Sequence, residues 1–297
     1  MKTLCFVLGL VAAVSAGNIV ELATQLGAKT LVKLVTDAGL ADTLATGGPF
    51  TVFGPTDEAF NKLPREILER LMRDKTLLAD VLKYHVISGK VYSSQLSNEL
   101  TAPSLLTDNG EAVKIRINIY GQKVTADGSP VVLVDQNATN GVIHVVNRVM
   151  FPIPLRNIPT EITQEQRRFS TLLTAVTKAN LVKTLEGGPF TLFAPTNEAF
   201  AKVPAATLQK LLANVTALTD VLTYHVVSGT VFSAGLSDGE MPKTVEGKTV
   251  TVKIGSNGVM INDARVEEAD LAVTNGVIHV IDTVLLPPAF NAGPGIY

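Results

Sequence analysis

The chain has 297 residues, 46% of them hydrophobic, with one cysteine, no tryptophan and a formal net charge of −2 from 25 basic and 27 acidic side chains. So even a balance leaves no basic stripe to hold a phosphate backbone, which excludes nucleic acid as a partner class. A single cysteine closes no internal disulfide, so the fold rests on its core and not on staples. In chain order, Met1–Ala16 comes first, with a basic start at Lys2, an apolar run from Leu4 to Val14 and the small-residue ending Val14-Ser15-Ala16. This pattern predicts a cleaved secretory signal, too short for a membrane span, and hence a secreted, extracellular product with no membrane insertion. Cleavage there removes Cys5 as well. The C-terminal PPAFNAGPGIY carries no apolar tail, so no glycolipid anchor is expected.

Asn18 can cap a helix whose apolar positions Ile19, Leu22, Ala23 and Leu26 recur at helical spacing. A second amphipathic stretch puts Leu31, Leu34 and Val35 on one face and stops near Gly39. PFTVF is short and rich in aromatic and β-branched residues, as a buried strand requires. Thr56 then reads as an N-cap, Asp57 and Glu58 suit the positive end of the helix dipole, and Phe60 turns inward. Pro64 fits the first turn of another helix, with Ile67, Leu68 and Leu71 on its buried side. Asp74 can cap the helix that runs to Tyr84. From Val86 onward the period changes from helical to alternating: AVKIRINIYGQKVTA reads as a hairpin about Tyr120-Gly121, and GVIHVVNRVMF as a near-continuous buried strand.

The whole series then starts again. GPFTVFGPTDEAF (48–60) returns as GPFTLFAPTNEAF (188–200), VLKYHVISGKV (81–91) as VLTYHVVSGTV (221–231), and TNGVIHVV (139–146) as TNGVIHVI (274–281). Phe50 to Phe190 and His85 to His225 both span 140 positions, whereas His144 to His279 spans 135. The length-variable region therefore falls in the hairpins, where VTVKIGSNGVMIN with Asn257-Gly258 at its turn stands for the first hairpin. A period of this length means tandem domains and not a solenoid, whose units run about 20–50 residues. Helices followed by antiparallel strands make each copy an α+β domain. The expected layout is a signal at 1–16, domain one at 17–152, a linker at 153–160 stiffened by Pro152, Pro154 and Pro159 in and beside it, domain two at 161–288, and a tail at 289–297.

These three segments, in this order and spacing, resemble the fasciclin domain, an extracellular adhesion module. TVFGPTDEAF and TLFAPTNEAF are similar to its first signature, TNGVIHVV and TNGVIHVI to its second, and the two Tyr-His pairs to its central motif. The resemblance covers nearly all of residues 18–288. It implies an α+β chain of two tandem fasciclin-like domains, each a wedge of about seven β-strands flanked by helices, with no cofactor. It also implies cell-matrix or cell-cell adhesion, with a cell-surface receptor of integrin type or an extracellular-matrix protein or polysaccharide as partner. The family's Tyr-His segment, linked to integrin binding, falls on Tyr84-His85 and Tyr224-His225. Its acid-aliphatic pair ahead of the closing strand falls on Asp270-Leu271 in copy two, while copy one keeps only the acid, Asp135. An exposed carboxylate there would suit a receptor-bound divalent cation. No RGD occurs in the chain.

Each of these sites has a plainer reading. All four histidines, His85, His225, His144 and His279, sit in buried-looking segments without carboxylate or thiol at ligand spacing, which points to core histidines bonded to backbone and to no metal site. An Asp in a loop is ordinarily a cap or turn former. Asn137-Ala138-Thr139 and Asn214-Val215-Thr216 are N-glycosylation sequons. Gly235-Leu236-Ser237-Asp238-Gly239 fits the G-x-S-x-G pattern of serine hydrolases, with His279 downstream, but lies in loop-like sequence without the strand and helix that a nucleophile elbow needs. No catalytic residue is therefore assigned. The alternative binding class is a carbohydrate- or mineral-matrix component, against which stands the lack of any acidic run longer than Val266-Glu267-Glu268-Ala269-Asp270.

Overall fold

The structure, a computed structural model, describes residues 17–153, 156–256 and 258–290. The expected leader and residues 291–297 of the tail lie outside the described residues, as do Pro154, Leu155 and Asn257. Copy one begins with α1 (Ile19–Gln25), α2 (Lys29–Asp37) and α3 (Ala41–Thr46), then β1 (Phe50–Pro55), α4 (Asp57–Asn61), α5 (Arg65–Arg73) and α6 (Lys75–Tyr84). The strands β2 (Val86–Ser88), β3 (Leu100–Asp108), β4 (Glu111–Tyr120), β5 (Lys123–Ala126), β6 (Ser129–Ala138) and β7 (Gly141–Val146) follow. Copy two repeats the plan with α7 (Ile158–Gln164), α8 (Gln166–Lys178), α9 (Val182–Leu185), β8 (Phe190–Pro195), α10 (Asn197–Ala201), α11 (Ala205–Ala213) and α12 (Val215–Tyr224). Its strands are β9 (Val226–Ser228), β10 (Val252–Gly255), β11 (Gly258–Ile261), β12 (Ala264–Val273) and β13 (Gly276–Ile281).

Local chemistry accounts for most of these boundaries. Asn18 and Glu21 form a reciprocal capping box, each side chain accepting the other's backbone N–H at 3.0 Å. Thr56 Oγ1 accepts from Ala59 N–H at 3.1 Å, and Thr196 repeats the cap with Ala199 N–H at 3.2 Å. Asp74 and Asn214 cap α6 and α12 through Leu77 N–H at 3.0 Å and Ala217 N–H at 3.1 Å. Asp57 does more than favour a helix dipole: its Oδ1 accepts from Thr30 N–H at 2.8 Å, and the neutral Asn197 does the same for Thr171 N–H at 2.9 Å. The position thus needs an acceptor and not a charge. Pro64 stands one residue outside α5, and Pro159 lies in the first turn of α7, capped by Asn157 Oδ1 on Thr160 N–H at 3.0 Å. Helix α7 therefore starts inside the stretch expected to be linker.

The strands of copy one follow each other in chain order around a closed sheet, and those of copy two form a six-stranded sheet in the order β10-β11-β12-β13-β8-β9. In both, the first strand pairs in parallel with the last, Phe50 opposite Gly141 and Phe190 opposite Gly276. Gly276 is required by this close approach. Its φ is 154°, and a Cβ there would run into the Phe190 carbonyl. Both penultimate strands, β6 and β12, break register next to Asp135 and Asp270. By backbone packing the described residues divide into two compact units, one drawn from within Met1–Leu96, Pro103–Ala112 and Val131–Phe151, the other from Ser97–Ala102, Val113–Pro130 and Pro152–Tyr297. The turn of the β4–β5 hairpin belongs to the second unit, where the Tyr120 hydroxyl donates to Thr230 O at 2.8 Å and accepts from Phe232 N–H at 3.0 Å.

In the first unit the helices close over one face of β1 and β7, with Leu31, Leu34, Leu71, Leu82 and Ile143 in the core. Phe53, in mid-strand, is fully buried, and Phe193 matches it in copy two.

Candidate functional site

Tyr84 and Tyr224 end their helices, and the histidines that follow them, His85 and His225, are the C-caps. All four are buried. His85 Nδ1–H donates to Val81 O at 2.7 Å while Nε2 accepts from Met150 N–H at 3.0 Å. His225 repeats this with Val221 O at 2.7 Å and Leu285 N–H at 2.9 Å. One backbone donor and one acceptor therefore fix the neutral tautomer of each ring. Burial pushes both imidazoles down to about 4, against the opposing pull of the Val81 and Val221 carbonyls. These rings are closed into the core.

The second pair of histidines works on one short segment. Residues 89–95 and 229–235, which follow β2 and β9, are tied by side chains of the sheet as a strap. In copy one, Thr51 of β1 donates its hydroxyl to Gly89 O at 2.7 Å and accepts from Val91 N–H at 2.8 Å. His144 of β7 donates Nε2–H to Val91 O at 2.9 Å. Asp135 of β6 accepts both the Ser93 N–H at 2.7 Å and the Ser93 hydroxyl at 2.5 Å. Copy two reproduces every bond: Thr191 with Gly229 and Val231, His279 with Val231 O at 2.8 Å, and Asp270 with Ser233 N–H at 2.6 Å and its hydroxyl at 2.5 Å. The aspartates are held at their other end too, since Asp135 N–H and Asp270 N–H donate to the Nδ1 of His144 and His279 at 3.2 and 3.3 Å. Both adopt positive φ, 60° and 66°, which a non-glycine residue keeps only when its surroundings fix it.

The acids expected as exposed carboxylates are thus half-buried and engaged by serines. Leu271 beside Asp270 is half-buried. Asn137 is exposed and joins the same cluster in copy one, its Oδ1 accepting from the Tyr92 hydroxyl at 3.0 Å and its Nδ2 donating to Asp135 O at 3.1 Å. Asn214 is exposed at the start of α12, with Oδ1 used as the cap. Ser237 N–H donates to Glu240 at 3.0 Å, and both nitrogens of His279 are taken by backbone, so the ring has no lone pair for a serine proton. Among the described residues no three His, Cys, Asp or Glu side chains are placed to hold a metal ion, and no helix is long and apolar enough to cross a membrane.

Sequence reasoning missed Asn140 and Asn275 as well as the strap. Asn140 Oδ1 accepts from Ile19 N–H at 2.9 Å, and its Nδ2 donates to Leu44 O and Gly47 O, both at 2.8 Å. Asn275 holds Ile158 N–H, Leu185 O and Gly187 O in the same way, at 2.9, 2.7 and 2.6 Å. The repeat of TNGVIHV was the available signal, yet it was spent on the histidine.

The fasciclin-domain family model matches residues 26–152 and again 167–287. The chain belongs to the fasciclin-domain family. Transforming growth factor-beta-induced protein ig-h3 from Sus scrofa is 34% identical over 244 residues, which is 81% of this chain and 35% of that protein. Periostin from Homo sapiens is 31% identical over 264 residues, 88% of this chain and 31% of the relative. The chain thus spans about a third of the length of these fasciclin relatives. Among solved structures, the domain pair of the insect cell adhesion molecule Fasciclin I covers 89% of this chain and 99% of its own, at 19% identity and a TM-score of 0.44.

Proposed function

We propose that this is a secreted extracellular-matrix or cell-adhesion protein that binds a cell-surface receptor of integrin type, or matrix partners, through the surfaces of its fasciclin domains. The observation that carries this reading is the doubled bulge. Each copy spends a strap, a buried histidine and a positive-φ aspartate on holding one acidic bulge in its penultimate strand. Copy two is the stronger site, since Leu271 stands beside Asp270 where copy one has Gln136. Glycans on Asn137 and Asn214 fit the reading, because both asparagines are exposed, and one on Asn137 would crowd the copy-one turn. The Tyr-His pairs enter as supports of the fold beneath.

Attachment of cells to the immobilised mature protein, with and without EDTA, tests the proposal. Cation-dependent attachment that weakens in Asp270→Asn and much less in Asp135→Asn is expected. Asparagine keeps an acceptor for the serine and tolerates the left-handed conformation, so the substitution removes charge more than structure. Equal retention on polysaccharide or calcium mineral, with no attachment of cells, would favour a carbohydrate- or mineral-matrix role instead.

A further inference from the structure

His144 and His279 sit where protonation changes the bonding of the strap. Each imidazole already donates Nε2–H to the strap carbonyl, Val91 O or Val231 O, and uses its one lone pair, on Nδ1, to accept the Asp135 or Asp270 N–H. A second ring proton would set two N–H groups against each other. The nearest acceptor for it in copy one is the carboxylate of the same aspartate, with Asp135 Oδ1 4.0 Å from His144 Nδ1. That oxygen is the one now bonded to Ser93 N–H. The imidazolium and the serine therefore compete for one carboxylate, and the losing arrangement also gives up the bond that keeps the aspartate at positive φ.

We propose that the Ser–Asp–His cluster in each copy is an acid-operated latch: a proton on His144 or His279 draws Asp135 or Asp270 off its serine and releases the strap that covers the acidic bulge. The surroundings contain little that would oppose this. The ring of His144 faces Phe53 of β1 at 5.6 Å and the ring of His279 faces Phe193 of β8 at 5.8 Å, both uncharged. The charges that act on the two imidazoles are Asp135 from β6 and Asp270 from β12, and both favour the imidazolium. On the outer side of copy one, Tyr92 of the strap is bonded to Asn137. On that of copy two stands Tyr120, whose phenol is pushed up to about 12 chiefly by burial, with Glu99 and Asp270 adding in the same direction. That phenol stays neutral throughout. Burial holds both histidines below their ordinary value, so the latch is closed at neutral pH and opens in acid. Its use in exposing a receptor contact rests on the adhesion reading, but the latch itself does not.

Hydrogen–deuterium exchange on the full mature chain, corrected for intrinsic rates and compared at pH 7 and at the acid pH where NMR shows the His144 and His279 imidazoles protonated, tests the latch. His85 and His225, pushed to about 4, are followed in the same spectra, so that release of the strap is told apart from opening of the core. Once the His144 and His279 rings carry their proton, residues 91–96 and 231–236 are expected to lose protection by about tenfold or more, while β1, β7, β8 and β13 keep theirs. Ser93→Ala with Ser233→Ala should show the fast exchange at both pH values. His144→Gln with His279→Gln supplies the same donor and acceptor without a titrating group and should abolish the pH effect. If that variant does not fold, NMR of the wild-type imidazoles serves, with the Ser93 and Ser233 amides expected to shift with the same midpoint. Strap protection that stays constant while these rings take their proton, or that vanishes together with the strands, overturns the latch. Attachment lost in Asp270→Asn at pH 7 addresses the adhesion reading separately, so either idea can fail alone.

Discussion

Asn275→Ala should destabilise copy two by about 3 kcal/mol. The side chain serves three backbone groups: the Ile158 N–H at the start of α7, and the Leu185 and Gly187 carbonyls just ahead of β8. Ile158 is fully buried, so its N–H would be left unpaired at about 1–3 kcal/mol. The two carbonyls lie nearer solvent and can recruit water, so each lost bond there costs about 0.5–1 kcal/mol. Urea unfolding of the mature protein checks the sum, and a loss of about 3 kcal/mol corresponds to roughly 10 °C in melting temperature for a domain of this size. Asn275→Asp keeps the acceptor for Ile158 but sets a carboxylate oxygen against the Leu185 and Gly187 carbonyls, so at neutral pH it should be no milder than alanine. A loss below about 1 kcal/mol for the alanine variant would refute the clamp.

Acid should weaken both copies through His85 and His225. Their folded values lie near 4, below the ordinary 6.5, so the unfolded chain binds more protons between those limits. Stability is therefore whole above pH 6.5 and falls as pH drops toward 4, by about 3 kcal/mol for each histidine, and a flat denaturant midpoint across that range would contradict the assigned tautomers. Phe53→Ala empties a fully buried ring site and should cost copy one about 3–5 kcal/mol in calorimetry; a loss under about 1 kcal/mol would mean that the strand is not packed as described.

What could be read from the sequence was local. Caps such as Thr56, Asp74 and Asn214 declare themselves because the bond closes within three residues. The closing strand GVIHVV declared itself by apolar residues on both sides of His144, although it ends at Val146 and does not run on through NRVMF. The helices α3 and α9 were missed, since neither has a side-chain cap and both are too short for a period to register. The strap could not be read at all. Ser93 and Asp135 are 42 positions apart, and nothing in either neighbourhood says that the carboxylate faces a serine and not solvent. For the same reason Asp57 looked like a dipole partner until Thr30 N–H was found on it. The copies themselves held the hint: Ser93 and Ser233, Thr51 and Thr191, and His144 and His279 recur unchanged among residues that drift.

If this fasciclin chain acts as proposed, the acidic bulge around Asp270 is what it presents to a partner. The most direct test is attachment of cells to surfaces coated with equal amounts of folded wild type, Asp135→Asn and Asp270→Asn at pH 7, each with and without EDTA. Attachment to wild type that EDTA abolishes, that falls at least several-fold in Asp270→Asn and that changes little in Asp135→Asn is the predicted result. Attachment that persists in EDTA, or is the same on all three folded surfaces, would contradict it.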